Sequence, residues 1–308
     1  MLKSKRFYFV FIVLMLVAVA CSSNDNETAV EENEENGESE ELAYEPPSME
    51  DLDPDDPMTP IIEYGEELFN ETNTVLPENV GNELSCMSCH ADGGISQSSS
   101  MVGVTTQYPM YIPRSGHAVT IQDRINGCMV RSMNGEMLDQ DSEEMRAMES
   151  YLAYISEGIE MGEAIPWRML NTMDEVPEPS IESGEELYES KNCLSCHATD
   201  GAGTGANSGP ALWGDNSFND GAGMGRLTKM AGYIQNNMPI GQEYELTDQE
   251  AADLAAFILA QDRPIWEGHD TDWPNGGRPT DIIDQERRDQ IQDGTFDWTE
   301  IENIIPAD

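Results

Sequence analysis

The sequence predicts an all-α fold with two small domains of one type, preceded by a disordered acidic linker and followed by an irregular C-terminal strap. The pentapeptide Cys-x-x-Cys-His occurs twice, and each copy is flanked by apolar residues at helical spacing. A chain of 308 residues with 38% hydrophobic content can bury two modest cores. Its net charge of −45 argues against nucleic-acid binding through a basic surface, and it fits either a salty habitat or a basic partner.

The N-terminus has the form of an export signal. Residues 1–20 combine early basic residues, an apolar run and a small residue before Cys21. The sequence at Cys21 resembles the cleavage site of bacterial lipoproteins, although those sites usually have Leu where this chain has Ala18. We therefore expect an exported lipoprotein, anchored through a lipid on Cys21 to the outer face of the bacterial cell membrane. The alternative is a plain signal peptide or an uncleaved anchor.

Composition divides the rest of the chain into four parts. Residues 21–57 are rich in Glu, Asp, Asn, Ser and Pro, a composition that cannot offset the entropy of ordering, so we predict an extended, passive linker. Two domains follow, at residues 58–178 and 179–262. Residues 263–308 show little periodicity and are predicted to form a strap packed over the domains.

The two pentapeptides match the attachment site of c-type haem. In this motif both sulfurs bond to the vinyl groups of one porphyrin, and the adjacent His binds the iron from the proximal side. Zinc sites and thioredoxin-like dithiols also use Cys-x-x-Cys, but neither requires His at the next position. The sequence therefore predicts two haem c groups. Their covalent anchors are Cys86, Cys89, Cys193 and Cys196, and their proximal ligands are His90 and His197.

Each motif is predicted to lie between two helices. Residues 65–69 (GEELF) and 184–188 (GEELY) form a weak repeat that precedes the motifs, with an insertion before the first pair of cysteines. A second apolar stripe closes each domain, and Thr247 with Glu250 forms a capping box in the later one. The stripe residues are Met145, Met148, Tyr151, Leu152 and Ile155 in the first domain and Leu254, Phe257 and Ile258 in the second. Met145 and Met148 are interpreted as core packing, since methionine fills irregular cores.

The second domain resembles class I cytochrome c. Residues 209–212 (GPAL) follow its motif, and residues 237–239 (NMP) lie about 40 positions after His197. The resemblance implies that Met238 is the second ligand of this iron. A thioether ligand raises the reduction potential, which suits an electron-transfer haem without catalysis of its own. Met224, Met230 and Lys229 are the rival ligands on the same stretch.

Cys128 is left over after the other cysteines are assigned. Lipidation takes one of the six cysteines and the haems take four. Cys128 is then either a small buried apolar residue or a thiolate ligand, which would lower the potential of an iron. Three arginines lie near it in this acidic chain, namely Arg114, Arg124 and Arg131. Guanidinium groups bind oxyanions and stabilise thiolates, but they also commonly pair with haem propionates.

Residues 124–135 (RINGCMVRSMNG), together with Arg114, resemble the dihaem thiosulfate dehydrogenases that form tetrathionate, a family related to the SoxA cytochromes. The resemblance covers both domains. It implies that His90 and Cys128 hold the catalytic haem. The implied catalytic residues are Cys128, Arg114, Arg124 and, as a weaker candidate, Ser132. At the second haem the family uses Met, in places preceded by Lys, whereas Asn237 precedes Met238 in this chain.

The resemblance implies oxidation of two thiosulfates to tetrathionate, a reaction that the same site could run in reverse. The electrons would pass through the Met-ligated haem to an acceptor cytochrome or a membrane oxidase. Two other functions remain open: a non-catalytic dihaem electron-transfer lipoprotein, and a SoxA-like subunit that loads sulfur onto a carrier protein. The Arg-rich stretch around Cys128 favours the enzyme. His269, in the strap, is expected to form a hydrogen bond rather than to bind iron.

Overall fold

The structure is a computed structural model that describes residues 44–97, 99–163, 165 and 171–306. The predicted export signal, Cys21 and the linker up to residue 43 lie outside the described residues. The described residues belong to one compact unit. Among the residues described, no helix combines the length and the apolar character needed to cross a bilayer.

The described part of the chain is mainly helical, with nine α-helices, several 3₁₀ turns and four short strands. The helices are α1 (Thr59–Asn70), α2 (Thr72–Val75), α3 (Ile121–Arg131), α4 (Glu143–Tyr154), α5 (Ile181–Ser190), α6 (Leu194–His197), α7 (Leu227–Asn237), α8 (Asp248–Leu259) and α9 (Gln285–Gln292). The strands are β1 (Met110–Ile112), β2 (His117–Val119), β3 (Val176–Pro177) and β4 (Ile304–Ile305). β1 pairs with β2 antiparallel, and β3 pairs with β4 in parallel.

The sequence repeat is also a repeat in structure. Helix α1 crosses α4 beside the first motif, and α5 crosses α8 beside the second. A glycine lies at each crossing: a Cβ added to Gly65 would be 2.1 Å from the carbonyl oxygen of Ala147, and one added to Gly184 would be 2.2 Å from that of Asp253. A larger side chain at either position would push the helices apart. The repeated glycine therefore allows the close approach of the two helices in each pair.

The predicted helices and core residues are confirmed where they can be compared. The stripes that were predicted to close the two domains lie on α4 and α8. Met145 and Met148 are 0% and 3% exposed, as expected for core packing. The capping box of Thr247 and Glu250 begins α8, with each side chain bonded to the backbone N–H of the other residue.

Residues 44–57, which were assigned to the free linker, instead contact the first helix pair. The hydroxyl of Tyr44 donates to the carbonyl oxygen of Glu157 at 2.6 Å, and Tyr154 donates to that of Ser48 at 2.6 Å. Met49 and Leu52 pack with Tyr44 against the core. The segment is acidic on average, so its few apolar side chains give no clear signal in the sequence. Burial of these side chains holds the end of the segment against the first domain.

The C-terminal segment is more ordered than its lack of periodicity indicated. It contains α9, whose mostly polar sequence gives no clear apolar stripe, and β4, which pairs with β3 about 130 residues earlier. Residues 266–274 form the part that bears on the site. The backbone N–H of Trp273 donates to the carbonyl oxygen of Arg114 at 2.7 Å, so this stretch is fastened to the turn between β1 and β2.

Candidate active site

The first motif opens into a cleft between α1, α3 and α4. The cleft contains about 650 Å³ of empty space, including the part open to solvent. One set of lining residues is polar or reactive: Ser85, Cys86, Cys89, His90, Arg124, Cys128 and Ser132. The others are Phe69, Met101, Ile121, Ile125, Met129, Met133, Met148 and Leu152. An apolar cleft lined by both the motif and a thiol fits a haem.

The two motif cysteines in this cleft are held as uncharged thiols. Burial raises the pKa of Cys86 to about 12, although a hydrogen bond from Thr72 opposes the shift, and burial raises that of Cys89 to about 11. The negative charge of a Cys128 thiolate would add to both shifts. Neutral sulfurs facing an apolar cleft suit covalent attachment to a porphyrin better than thiolate binding of a cation.

Both motif histidines present the same nitrogen to the protein. His90 donates from Nδ1 to the carbonyl oxygen of Ser99 at 2.6 Å, and His197 donates from Nδ1 to that of Pro210 at 2.8 Å. Burial is the main cause that lowers the pKa of each, so both imidazoles are neutral at pH 7. A neutral ring with Nδ1 occupied keeps Nε2 available for a metal, as expected for a proximal haem ligand.

Helix α3 brings Arg124 and Cys128 together in the lining of the same cleft. The helix begins with a capping box between Thr120 and Asp123, and the spacing of four residues puts the two side chains on one face. The Nη1 atom of Arg124 lies 2.8 Å from Cys128 Sγ. The charge of Cys128 is the largest cause that raises the pKa of Arg124. The guanidinium therefore donates a charged hydrogen bond to the sulfur of Cys128.

Arg114 and Arg131 converge on a carboxylate that the sequence did not reveal as part of the site. Asp272 Oδ2 accepts from Nε and Nη2 of Arg114 at 2.8 and 2.7 Å, and its Oδ1 accepts from Nη2 of Arg131 at 3.0 Å. Trp266 donates from Nε1 to the same carboxylate at 3.1 Å, and its ring stacks on Arg131. Arg114 is not among the described residues that line the cleft. The Nε and Nη2 atoms of Arg114 are thus engaged by a side chain of its own protein, and its predicted role in binding the substrate stays a prediction.

The three arginines still form one positive region. Burial lowers the pKa of Arg114 most, Asp272 opposes this, and the charges of Arg131 and Arg124 lower it further. Arg114 is thus subject to the positive charges of Arg124 and Arg131, although it does not line the cleft. Ser132 lines the cleft one turn beyond Cys128, and its carbonyl oxygen accepts from Asn82 at 2.8 Å.

Asp272 is expected to stabilise the fold as well as the site. We predict that Asp272→Ala lowers the free energy of unfolding by about 2 to 3 kcal/mol, because two largely buried guanidinium groups lose their partner. Asp141→Ala is the matched control, since the ion pair of Asp141 with Arg146 is exposed and should contribute little. Urea unfolding of the holoprotein measures both. Equal effects of the two substitutions would contradict the prediction.

The second motif has its own aromatic core. The rings of Tyr188, Trp213 and Phe257 contact one another, with centroids 5.3 to 5.7 Å apart. Met238 directly follows α7 and is half-buried against this core. Of the rival ligands, Met230 is buried in the core, Met224 is half-buried against it as Met238 is, and Lys229 Nζ bonds to the hydroxyl of Thr172.

The C-terminal segment contributes three basic residues, His269, Arg288 and Arg263, two of which contact Asp220. His269 bonds through Nε2 to Asp220 Oδ1 at 2.7 Å, which confirms the predicted hydrogen-bonding role. Arg288 pairs with the other oxygen of Asp220. Arg263 is buried over the ring of Phe218, and its Nε and Nη1 have no hydrogen-bond partner among the described residues. Buried donors of this kind require a carboxylate, so they fit the propionates of a haem.

Comparison with known families agrees with the two-motif organisation. The profile of the SoxA/TsdA cytochrome c domain matches residues 64–161, and the cytochrome c profile matches residues 181–262. The thiosulfate dehydrogenase of Psychrobacter arcticus is 40% identical over 234 residues, which are 74% of this chain and 71% of that protein. The chain belongs to the thiosulfate dehydrogenase family. This membership confirms the predicted family, the fold class of two cytochrome c domains, the two haem c groups and an oxidoreductase function.

Two further relatives support the family assignment. The thiosulfate dehydrogenase of Allochromatium vinosum is 37% identical over 70% of this chain and 82% of its own length. The solved thiosulfate dehydrogenase (TsdBA) from Marichromatium purpuratum, in its as-isolated form, matches 72% of this chain with a TM-score of 0.67 and 32% identity. This chain covers 50% of that longer chain. The family fold therefore extends over both motifs of the chain.

Proposed function

We propose that this protein oxidises two thiosulfate ions to tetrathionate at its first haem and passes the electrons through its second haem to an acceptor. The contact between Arg124 and Cys128 carries the proposal. It puts a cation 2.8 Å from a thiol in the cleft that the first haem motif also lines. An electron-transfer protein needs neither group in that cleft, whereas a reaction between sulfur anions needs both.

Two sets of residues would hold the haems. Cys86 and Cys89 would attach the first, with His90 and Cys128 on its iron; Cys193 and Cys196 would attach the second, with His197 and Met238 on its iron. When bound, the two haems can take up two electrons, one each, and release them to an acceptor. The unpartnered donors of Arg263 and the buried Nε of Arg131 are proposed to bind haem propionates. The sequence had left this role open for the arginines near Cys128.

Cys128 is proposed to form a covalent bond to the substrate. Its thiolate bonds to the terminal sulfur of one thiosulfate, which gives a Cys128 S-thiosulfonate and releases two electrons. A second thiosulfate attacks the sulfur next to Cys128, and the cysteine leaves as thiolate. The product is tetrathionate, and two thiosulfates have lost two electrons in total. The second step runs in both directions, so tetrathionate reduction can use the same residues.

The arginines are proposed to offset the repulsion between two dianions. Arg124 lies closest to the reacting sulfur, and its guanidinium can donate to a sulfonate oxygen while it still contacts Cys128. Arg114 is held by Asp272, and its charge is proposed to add to the attraction for the anions. Ser132, which also lines the cleft, is proposed to donate its hydroxyl to a substrate oxygen.

We also propose the cellular setting that the N-terminus indicates. Cys21 would carry the lipid that anchors the exported protein to the outer face of the cell membrane. The acceptor would be a cytochrome or a membrane oxidase that takes electrons from the second haem. The strongly acidic chain favours an acceptor with a basic docking surface.

Anaerobic addition of thiosulfate to the oxidised holoprotein tests the proposed reaction. We expect reduction of both haems, followed by absorbance, with one tetrathionate formed for each two haems reduced. Addition of tetrathionate to the reduced protein tests the reverse direction. If thiosulfate reduces neither haem while dithionite reduces both, the dehydrogenase proposal fails and an electron-transfer role replaces it.

A further inference from the structure

A continuous chain of hydrogen bonds joins the ligand of the first haem to the segment that carries the proposed ligand of the second. His90 donates from Nδ1 to the carbonyl oxygen of Ser99 at 2.6 Å. The hydroxyl of Ser99 accepts from Nδ2 of Asn171. The Oδ1 atom of Asn171 accepts in turn from Nδ2 of both Asn236 and Asn237, at 3.2 Å each. One carboxamide therefore lies between the two haem domains and bonds to both.

Helix α7 fixes the backbone that carries this carboxamide. The N–H of Met173 donates to the carbonyl oxygen of Thr228 at 2.9 Å, and Lys229 Nζ bonds to the hydroxyl of Thr172. Gly232 lets the segment approach closely, because a Cβ there would be 2.5 Å from the backbone nitrogen of Thr172. Residues 171–173 thus lie directly along α7, so Asn171 is held near the end of this helix.

The end of α7 determines how Met238, the proposed ligand of the second haem, is oriented. Asn237 is the last residue of the helix and immediately precedes Met238. Its Nδ2 donates to the carbonyl oxygen of Tyr233 at 2.7 Å as well as to Asn171. These two bonds fix the side chain of Asn237 against its own helix and against the first domain. Loss of the Asn171 acceptor would free one of them and loosen the turn that presents Met238.

We propose that Asn171 is a positioning residue that couples the ligand sets of the two haems, an inference that rests on the proposed ligation by His90 and Met238. Its Oδ1 holds the turn that presents Met238. Its Nδ2 holds Ser99, whose carbonyl oxygen sets the tautomer and orientation of His90. Groups that bond to a metal ligand set its donor strength and hence the potential of the metal. The same hydrogen bonds connect the proposed ligands of the first iron to those of the second.

The test uses the complete dihaem protein with Asn171→Ala, Asn171→Asp and Asn207→Ala. The last is the matched control, because Asn207 donates to the carbonyl oxygen of Asn70 at 2.8 Å and so also joins the two domains, through partners that are not proposed iron ligands. The readouts are the methionine-to-iron charge-transfer band of the oxidised protein and the potentials of both haems, with covalent haem content checked first.

In Asn171→Ala we expect the methionine band to fall at least twofold. We also expect the ferrous-to-ferric ratio of the second haem at a fixed potential to fall about tenfold, which is about 59 mV for one electron. Asn171→Asp keeps an acceptor for Asn236 and Asn237, so it should retain most of the band. Asn207→Ala should match the wild type in both readouts. If Asn171→Ala does not retain both haems, Asn171→Ser replaces it, since its short hydroxyl cannot reach both amides.

Three outcomes would overturn the inference. Wild-type band and potentials in Asn171→Ala would show that the carboxamide does not position Met238. Equal changes in Asn171→Ala and Asn207→Ala would reduce Asn171 to an ordinary contact between domains. A wild-type protein without a methionine band would contradict Met238 as a ligand and would remove this inference with it. By contrast, absence of thiosulfate oxidation would leave the spectroscopic result intact, so the two failures are distinguishable.

Discussion

Replacement of Cys128 by alanine is expected to lower kcat for thiosulfate oxidation by at least about 10³-fold, with both haems still attached. The thioether bonds depend on other cysteines, so the cofactor content should not change. The loss follows because the proposed S-thiosulfonate cannot form without this sulfur. Steady-state assays with an artificial electron acceptor and with tetrathionate as the measured product give the effect.

Cys128→Met separates two possible roles of this sulfur. A thioether can still bind iron, but it cannot form the disulfide-type bond to thiosulfate. We therefore expect Cys128→Met to remain as inactive as Cys128→Ala, with a higher potential of the first haem than in the wild type. If the methionine variant recovers activity, the sulfur acts only as an iron ligand and the covalent step is wrong. Full activity in the alanine variant would contradict any role for Cys128.

The helices could be predicted because their signals are local. Periodicity identified α4 and α8, and the capping box at Thr247 marked where α8 begins. The repeated glycines, Gly65 and Gly184, were visible in the sequence, but only the structure shows that each lies at a helix crossing. Short-range sequence patterns therefore predict the secondary-structure elements. The contacts between these elements depend on tertiary packing, which no local pattern predicts.

The same distinction between local and long-range contacts applies to the candidate site. Arg124 and Cys128 are four residues apart on one helix, so their contact follows from helical spacing. Asp272 lies 158 positions after Arg114 in a segment without periodicity, and nothing near it in the sequence indicates that it pairs with two arginines. Asn171 is equally inconspicuous, since its partners come from both domains. Residues that organise a site from a distance are thus the ones that sequence reasoning misses.

Replacement of Arg124 by glutamine is expected to lower kcat/KM for thiosulfate by about 10²- to 10³-fold. Arg124 is the cation closest to Cys128 Sγ among the described contacts, at 2.8 Å, and the charge of that sulfur raises the pKa of Arg124. Without it, the thiolate loses its partner and two dianions must meet with less compensation. Arg124→Lys should recover part of the loss, because it restores the charge without the planar pair of donors.

Salt dependence separates this role from a purely structural one. The control is Arg146→Gln, a matched substitution on the exposed face of α4, which should leave kcat/KM unchanged. In the wild type, kcat/KM should fall as ionic strength rises, since salt screens the attraction of the site for dianions. Arg124→Gln should show a weaker fall, because one of the attracting charges is gone. If Arg124→Gln and Arg146→Gln have the same kcat/KM, Arg124 does not bind the substrate, and the site must attract thiosulfate through Arg114 alone.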